Sequence, residues 1–165
     1  MNQPKIDESA VVLKGAVLVG DVTLCKNASV FYNSVLRGDV GAIRIGANSN
    51  IQDNCTLHCD HGESLSVGSN VTVGHGTILH GCVIEDEVFV GMGCLVMNGA
   101  VLEKGCMLGA GAMVTGGAVI PAGMLAFGRP AKPVRPLTEE EMATNVGHAK
   151  EYVRMAAALG NEQEK

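Results

Sequence analysis

Three histidines carry the chemistry that this sequence offers. His75 and His80 lie between Asn70 and Gly81, in N-V-T-V-G-H-G-T-I-L-H-G, a stretch that is otherwise small and aliphatic. His58 precedes them in C-T-L-H-C. No fourth protein ligand stands beside them, and three neutral nitrogen donors with one open position are what a catalytic zinc ion requires. Cys59 adjoins His58, but C-x-x-H-C is a weak ligand pattern, and the cysteine is left outside the set. His148 falls in a helical segment and reads as solvated. His61, in Asp60-His61-Gly62-Glu63, reads as exposed and as a candidate proton carrier.

The elements that position these side chains follow from a repeat. Aliphatic residues recur every six positions as Ile6, Val12, Leu18, Leu24, Val30 and Leu36. After an insertion come Ile45, Ile51 and Leu57, and after a second come Val67, Val73 and Leu79. One residue is then dropped, and the series resumes as Ile84, Val90, Val96, Leu102, Leu108, Val114 and Ile120. Four residues after most of them sits a small one, among them Ala16, Ala28, Ser34, Ser49, Cys55, Thr77, Cys94, Cys106 and Ala112. A period of six fits neither an amphipathic helix nor a hairpin. It fits a short strand plus a tight corner, three of which make one triangular coil of a parallel β-helix. The nineteen units predict about six coils.

The repeat converts sequence positions into columns. Leu57 and Leu79 are one coil apart, so His58 and His80 stack on one face of the prism, with Arg37 below them. Adjacent coils are about 4.8 Å apart, close enough for two imidazoles to share a metal ion. His75 follows Val73 by two and belongs to the preceding face, above Asp53. It is poorly placed to reach a metal held by His58 and His80 of its own chain, but a neighbouring copy could supply it. A closed three-fold ring satisfies every such site equally. A homotrimer with metal ions at its interfaces is therefore expected.

Composition narrows the classes. The net charge is −5 and no run of Lys or Arg occurs, which argues against nucleic acid as a partner. No apolar run is long enough to span a membrane, and the first residues show no signal core, so a soluble cytoplasmic protein is expected. Of the six cysteines, Cys55, Cys94 and Cys106 occupy small-residue positions of the repeat and read as buried and inert. The organisation expected is a β-helix with the metal site over 1–125, a proline-containing linker over 126–137, and a C-terminal helix over 138–160 packed on the coils. Thr138 and Glu141 form a capping box, Leu137 and Met142 a staple, and Met142, Val146, Ala149, Val153 and Ala156 one apolar stripe. Gly160 is the expected stop.

Several motifs together are more specific than the repeat. They are L-R-G-D at Leu36 to Asp39, N-I-Q-D-N at Asn50 to Asn54, T-L-H at Thr56 to His58, and G-H-x-x-x-x-H-G at Gly74 to Gly81. With G-M-G at Gly91 to Gly93 and the P-A-G-M and G-R-P-A-K endings, the chain resembles the gamma-class carbonic anhydrases over essentially its whole length. The resemblance implies a left-handed β-helix, and metal held by His58 and His80 of one subunit and His75 of the next. It also implies that Arg37 pairs with Asp53 across the interface, that Asp39 orders this network, and that Gln52 orients the metal-bound water. Asn98 and Tyr152 would line the pocket.

The activity implied is reversible hydration of carbon dioxide to bicarbonate, with zinc as the default ion and ferrous iron or cobalt fitting the same ligands. This chain departs from the family in two places. The connection from Cys59 to Ser66 is too short for an acidic proton-shuttle loop, and Val40 stands where other members carry glutamate. Glu63 and His61 are the candidate substitutes. Two other classes remain beside the anhydrase reading: a non-catalytic metal-bound scaffold, and a hexapeptide-repeat acyltransferase in which one histidine acts as base.

Overall fold

The computed structural model describes residues 2–163. Its strands stack in three columns, and within the coils every pairing is parallel. The first column pairs Val17-Leu18, Val35-Leu36, Thr56-Leu57, Ile78-Leu79, Leu95-Val96 and Met113-Val114 in register. The second runs from Lys5-Ile6 through Arg44-Ile45 and Val83-Ile84 to Val119-Ile120. The third runs from Val11-Val12 through Ile51 and Val73 to Leu125-Ala126. The second residue of nearly every pair is the aliphatic that recurs in the sequence. These residues point inward as a strand's alternation requires, and Leu36, Ile51, Leu57, Leu79 and Leu102 are wholly buried. The fold is the expected β-helix of about six coils.

The corners explain the small residues. Ser34 Oγ donates to the Gln52 carbonyl at 2.6 Å, Cys55 Sγ to Gly74 at 3.3 Å, Thr77 Oγ1 to Gly91 at 3.1 Å and Cys94 Sγ to Gly109 at 3.3 Å. Each buried hydroxyl or thiol thus finds a backbone acceptor nearer the next coil, which offsets its desolvation. Burial pushes the Cys55 thiol up to about 11 and those of Cys82 and Cys106 to about 12, so none is a thiolate at neutral pH. Another corner carries stacked asparagines in the left-handed region: Asn27 donates to Asn48 at 3.0 Å, and Asn48 to Asn70 at 3.1 Å.

The two insertions stack on each other. The strand Val35–Ile45 leaves the first column after Gly38 and rejoins the second, pairing with both Thr56–His58 and Ser64–Val67. Gly62 N donates to the Val40 carbonyl at 3.4 Å, tying the second excursion to the first. Asp39, Asp60 and Glu63 are thereby carried to the corner beside His58 and His80.

The segment expected as an extended linker is instead a hairpin. Met124–Gly128 continues the third column, and Ala131–Pro136 pairs antiparallel with it. Pro133 and Pro136 are tolerated because this is an edge strand, where a missing N–H costs no ladder bond. The helix Glu139–Gln163 follows, with the capping box formed: Glu141 N donates to Thr138 Oγ1 at 3.1 Å and Thr138 N to Glu141 Oε2 at 2.9 Å. It lies along the third column, burying Asn145, Ala149 and Ala156, and Tyr152 meets Phe31 edge-on at 5.3 Å. Gly160 does not end it. A Cβ there would lie 3.2 Å from Val11, and the helix runs on to Gln163, whose side chain accepts from Lys14 N. Close approach, not termination, is what that glycine serves. No helix among the described residues is long and apolar enough to cross a membrane.

Two outcomes follow from this packing. Leu57→Ala removes a wholly buried layer of the prism and is expected to cost about 2–5 kcal/mol, read as a lower urea midpoint at unchanged slope. The Arg135 guanidinium and the Thr138 amide hold Glu141 at about 2, below its ordinary 4.5. A carboxylate held low stabilises the fold above its unfolded value and loses that contribution as pH falls. Stability should therefore decline between about pH 4.5 and 2, and Glu141→Gln should flatten that part of the profile in acid unfolding followed by circular dichroism.

Candidate metal centre

His58 and His80 are register partners in the first column, their rings 5.1 Å apart. His58 Nδ1 faces His80 Nε2 at 3.1 Å. The other nitrogen of each ring is occupied: His58 Nε2 lies 3.0 Å from Asp39 Oδ1, and His80 Nδ1 lies 2.6 Å from Asn98 Oδ1. These contacts assign the tautomers. Arg37 donates to Asp39 Oδ2 at 2.6 Å and, with the His58 contact, holds that carboxyl below its usual range, so Asp39 only accepts and His58 Nε2 carries the hydrogen. The Asn98 amide is oriented by its NH2 group, which donates to Asp60 Oδ2 at 2.6 Å and Glu63 Oε2 at 3.0 Å. Its oxygen therefore faces His80 and accepts from Nδ1–H.

With each hydrogen on the outer nitrogen, His58 Nδ1 and His80 Nε2 would present two lone pairs to each other across 3.1 Å. Such an arrangement calls for a shared cation. Metal-bound imidazoles characteristically donate their other N–H to a carboxylate or carbonyl, as both do here, so this donor set fits a metal ion.

His75 stands apart from the pair. It lies above Asp53 as the column count predicts, with Nδ1 2.7 Å from Asp53 Oδ2 and 45% of its side chain exposed. Among the described residues no three His, Cys, Asp or Glu side chains of one chain gather as a metal-binding group. Gln52 is buried, donating to Asn50 Oδ1 at 3.2 Å. With His75, Phe89, Met92 and Tyr152 it lines a cavity of about 340 Å³ beside the helix. Burial, then the Asp53 and Glu151 carboxylates, raise the Tyr152 phenol above its ordinary value.

Within the chain Arg37 pairs with Asp39 and Asp53 with His75, which is separate from the Arg37–Asp53 pairing expected between subunits. The sequence reading is amended at one residue. His148 is not simply solvated: its ring lies 5.8 Å from Phe89 and lines the same cavity. The bonding of Asn98 to Asp60 and Glu63 was not foreseen, although one signal pointed to it. Val96 stacks on Leu79, which puts Asn98 over Gly81, where the missing side chain opens a path to His80.

Comparison with known proteins bears on the family and the fold. A family model described as bacterial transferase hexapeptide (six repeats) matches residues 81–116. A Methanocaldococcus jannaschii protein named "Probable carbonic anhydrase" is 53% identical over 154 residues, covering 93% of this chain and 97% of its own length. Gamma carbonic anhydrase 3, mitochondrial, from Arabidopsis thaliana is 49% identical over 98% of this chain and 65% of its own. The crystal structure of a hexapeptide transferase family protein from Anaplasma phagocytophilum superposes with a TM-score of 0.91 at 42% identity, covering 94% of this chain and 92% of that one. By its coils, its histidine spacing and these relatives, the chain belongs to the gamma-class carbonic anhydrase family.

Proposed function

We propose that this protein is a homotrimeric, zinc-dependent carbonic anhydrase, with each ion held by His58 and His80 of one subunit and His75 of the next. The observation that carries the reading is the pair of facing lone-pair nitrogens, 3.1 Å apart and backed by Asp39 and Asn98. The outward positions of the histidine face support association. Val17 and Ile78 are 47% and 44% exposed, with Val35, Leu95 and Met113 partly so, a mostly apolar row interrupted by Thr56 and suited to burial against another copy.

Zinc held by these residues would supply Lewis acidity, which lowers the pKa of a coordinated water to about 7. The chain's own groups do the rest. Asp39 and Asn98 hold the two imidazoles with their lone pairs converging. Asp53 fixes the ring of His75 through Nδ1. Gln52, anchored on Asn50, presents its amide to the cavity where it can orient a nucleophile or bicarbonate by hydrogen bonding. Phe89, Met92 and Leu108 give that cavity apolar walls suited to an uncharged substrate. The Asp60 and Glu63 carboxylates at Asn98, with exposed His61 on the same loop, are the groups positioned to pass a proton to solvent.

The hexapeptide match and the transferase relative keep an acyltransferase reading in view. It leaves the paired nitrogens without a purpose. A metal-bound scaffold would use them and turn over nothing.

Stopped-flow carbon dioxide hydration on anaerobically purified protein, loaded separately with zinc and ferrous iron, separates the three. Hydration should track metal loading, fall to the uncatalysed rate in His75→Ala, and survive Tyr152→Phe within about tenfold if Tyr152 serves mainly to pack on Phe31. Full occupancy without hydration would leave the scaffold reading, and absence of tight metal binding would leave the acyltransferase.

A further inference from the structure

We propose that Asn98 is a positioning residue of this site: its side-chain oxygen holds His80 in the Nδ1–H form while its NH2 group ties the loop of Asp60 and Glu63 to the histidine pair. The proposal rests on the reading that His80 binds metal, and extends it to a group that would touch no metal.

The contacts leave one consistent orientation for the amide. The amide nitrogen lies 2.6 Å from Asp60 Oδ2 and 3.0 Å from Glu63 Oε2, and the oxygen lies 2.6 Å from His80 Nδ1. Reversing the amide would set its oxygen against two carboxylates. As placed, its two hydrogens serve one carboxylate each and its oxygen takes the imidazole hydrogen, so every polar atom is used. The two like-charged carboxylates share one donor group, which offsets their mutual repulsion. Without the Asn98 acceptor, His58 Nδ1 at 3.1 Å is the acceptor left to His80, which favours hydrogen on Nε2 and closes that nitrogen to a metal ion.

Gly81 makes the contact possible. Its φ is 52°, and a Cβ there would stand 2.8 Å from Glu63 Oε2 and 3.2 Å from Asn98 Cγ. Its main chain is held on both sides, by Gly81 N donating to His58 O at 2.9 Å and Gly99 N to Gly81 O at 2.7 Å. A glycine directly after the ligand thus opens the space through which Asn98 reaches back to it. The short connection from Cys59 to Ser66 then serves a purpose: it delivers two carboxylates to an amide already fixed on the metal ligand.

Asn98→Asp keeps an acceptor for His80 and loses the donors to Asp60 and Glu63, whereas Asn98→Leu loses both. Asn98 is only partly buried, and circular dichroism with the unfolding midpoint checks that each variant folds. The tautomer of His80 is read on the metal-free full chain from long-range proton–nitrogen correlations of histidine labelled with nitrogen-15. All variants are compared at the same alkaline pH. Zinc affinity is read separately by chelator competition, and loop opening by amide hydrogen exchange across residues 59–66.

Wild type and Asn98→Asp should show the Nδ1–H form and Asn98→Leu a shift towards Nε2–H, with zinc affinity lowered about 10–100-fold in Asn98→Leu. Exchange in the loop should quicken in both variants. An unchanged His80 tautomer in folded Asn98→Leu, unchanged zinc affinity despite a shifted tautomer, or unchanged loop exchange in both would overturn the proposal. A wild-type chain that takes up no zinc would overturn the metal reading alone, because the tautomer and exchange comparisons are made without metal.

Discussion

The hydrogen-bonded register between successive coils is the constraint on which everything else depends. Each coil donates and accepts along its full circuit, so a residue's height is set by the residue at the same station one coil away. Period-two alternation then decides which side chains enter the prism, and the prism admits only one aliphatic per face per layer. Leu36, Leu57, Leu79 and Val96 are stacked because their backbones are paired, and their burial in turn rewards the pairing. With so few aromatic residues to fill space, the protein reaches a dense interior by repetition, each layer closing through small corner residues that bond to the next.

The site grows out of departures from that regularity. His58 and His80 are one coil apart in an unbroken column, which brings two identical rings together. The stacked insertions bring Asp39 to one ring and, through Asn98, Asp60 and Glu63 to the other. A regular coil has no room for such groups at a corner; the extra residues supply it. The hydrogen bonds behind the two rings leave His58 Nδ1 facing His80 Nε2 at 3.1 Å, which is why the geometry bears on metal binding more directly than histidine count alone.

His75 shows the other half of the logic. It belongs to a different column, is fixed by Asp53 and lies beside a cavity walled by the helix. The proposed trimer would join these halves, one subunit's histidine pair meeting another's His75. The C-terminal helix is part of this design. By lying along the third column it covers Ser29, Asn50 and Thr72, and with Tyr152 and His148 it shapes the cavity in which Gln52 is presented.

Much of the fold was legible in the sequence because a six-residue period translates directly into three faces. The stacking of His58 on His80, the placing of His75 above Asp53 and the capping box at Thr138 all follow from counting and from local chemistry. Counting fails where side chains choose among partners within reach. Arg37 turns to Asp39 because the insertion brings that carboxylate to it, and Asn98 gathers Asp60 and Glu63 because Gly81 leaves the space open. The hairpin after Met124 and the continuation of the helix past Gly160 were likewise decided by an unpaired strand edge and by a close contact with Val11. The sequence alone determined the coil, its columns and the histidines on them. The tertiary structure decided how those histidines are oriented, because orientation depends on contacts between residues far apart in the chain that no period records.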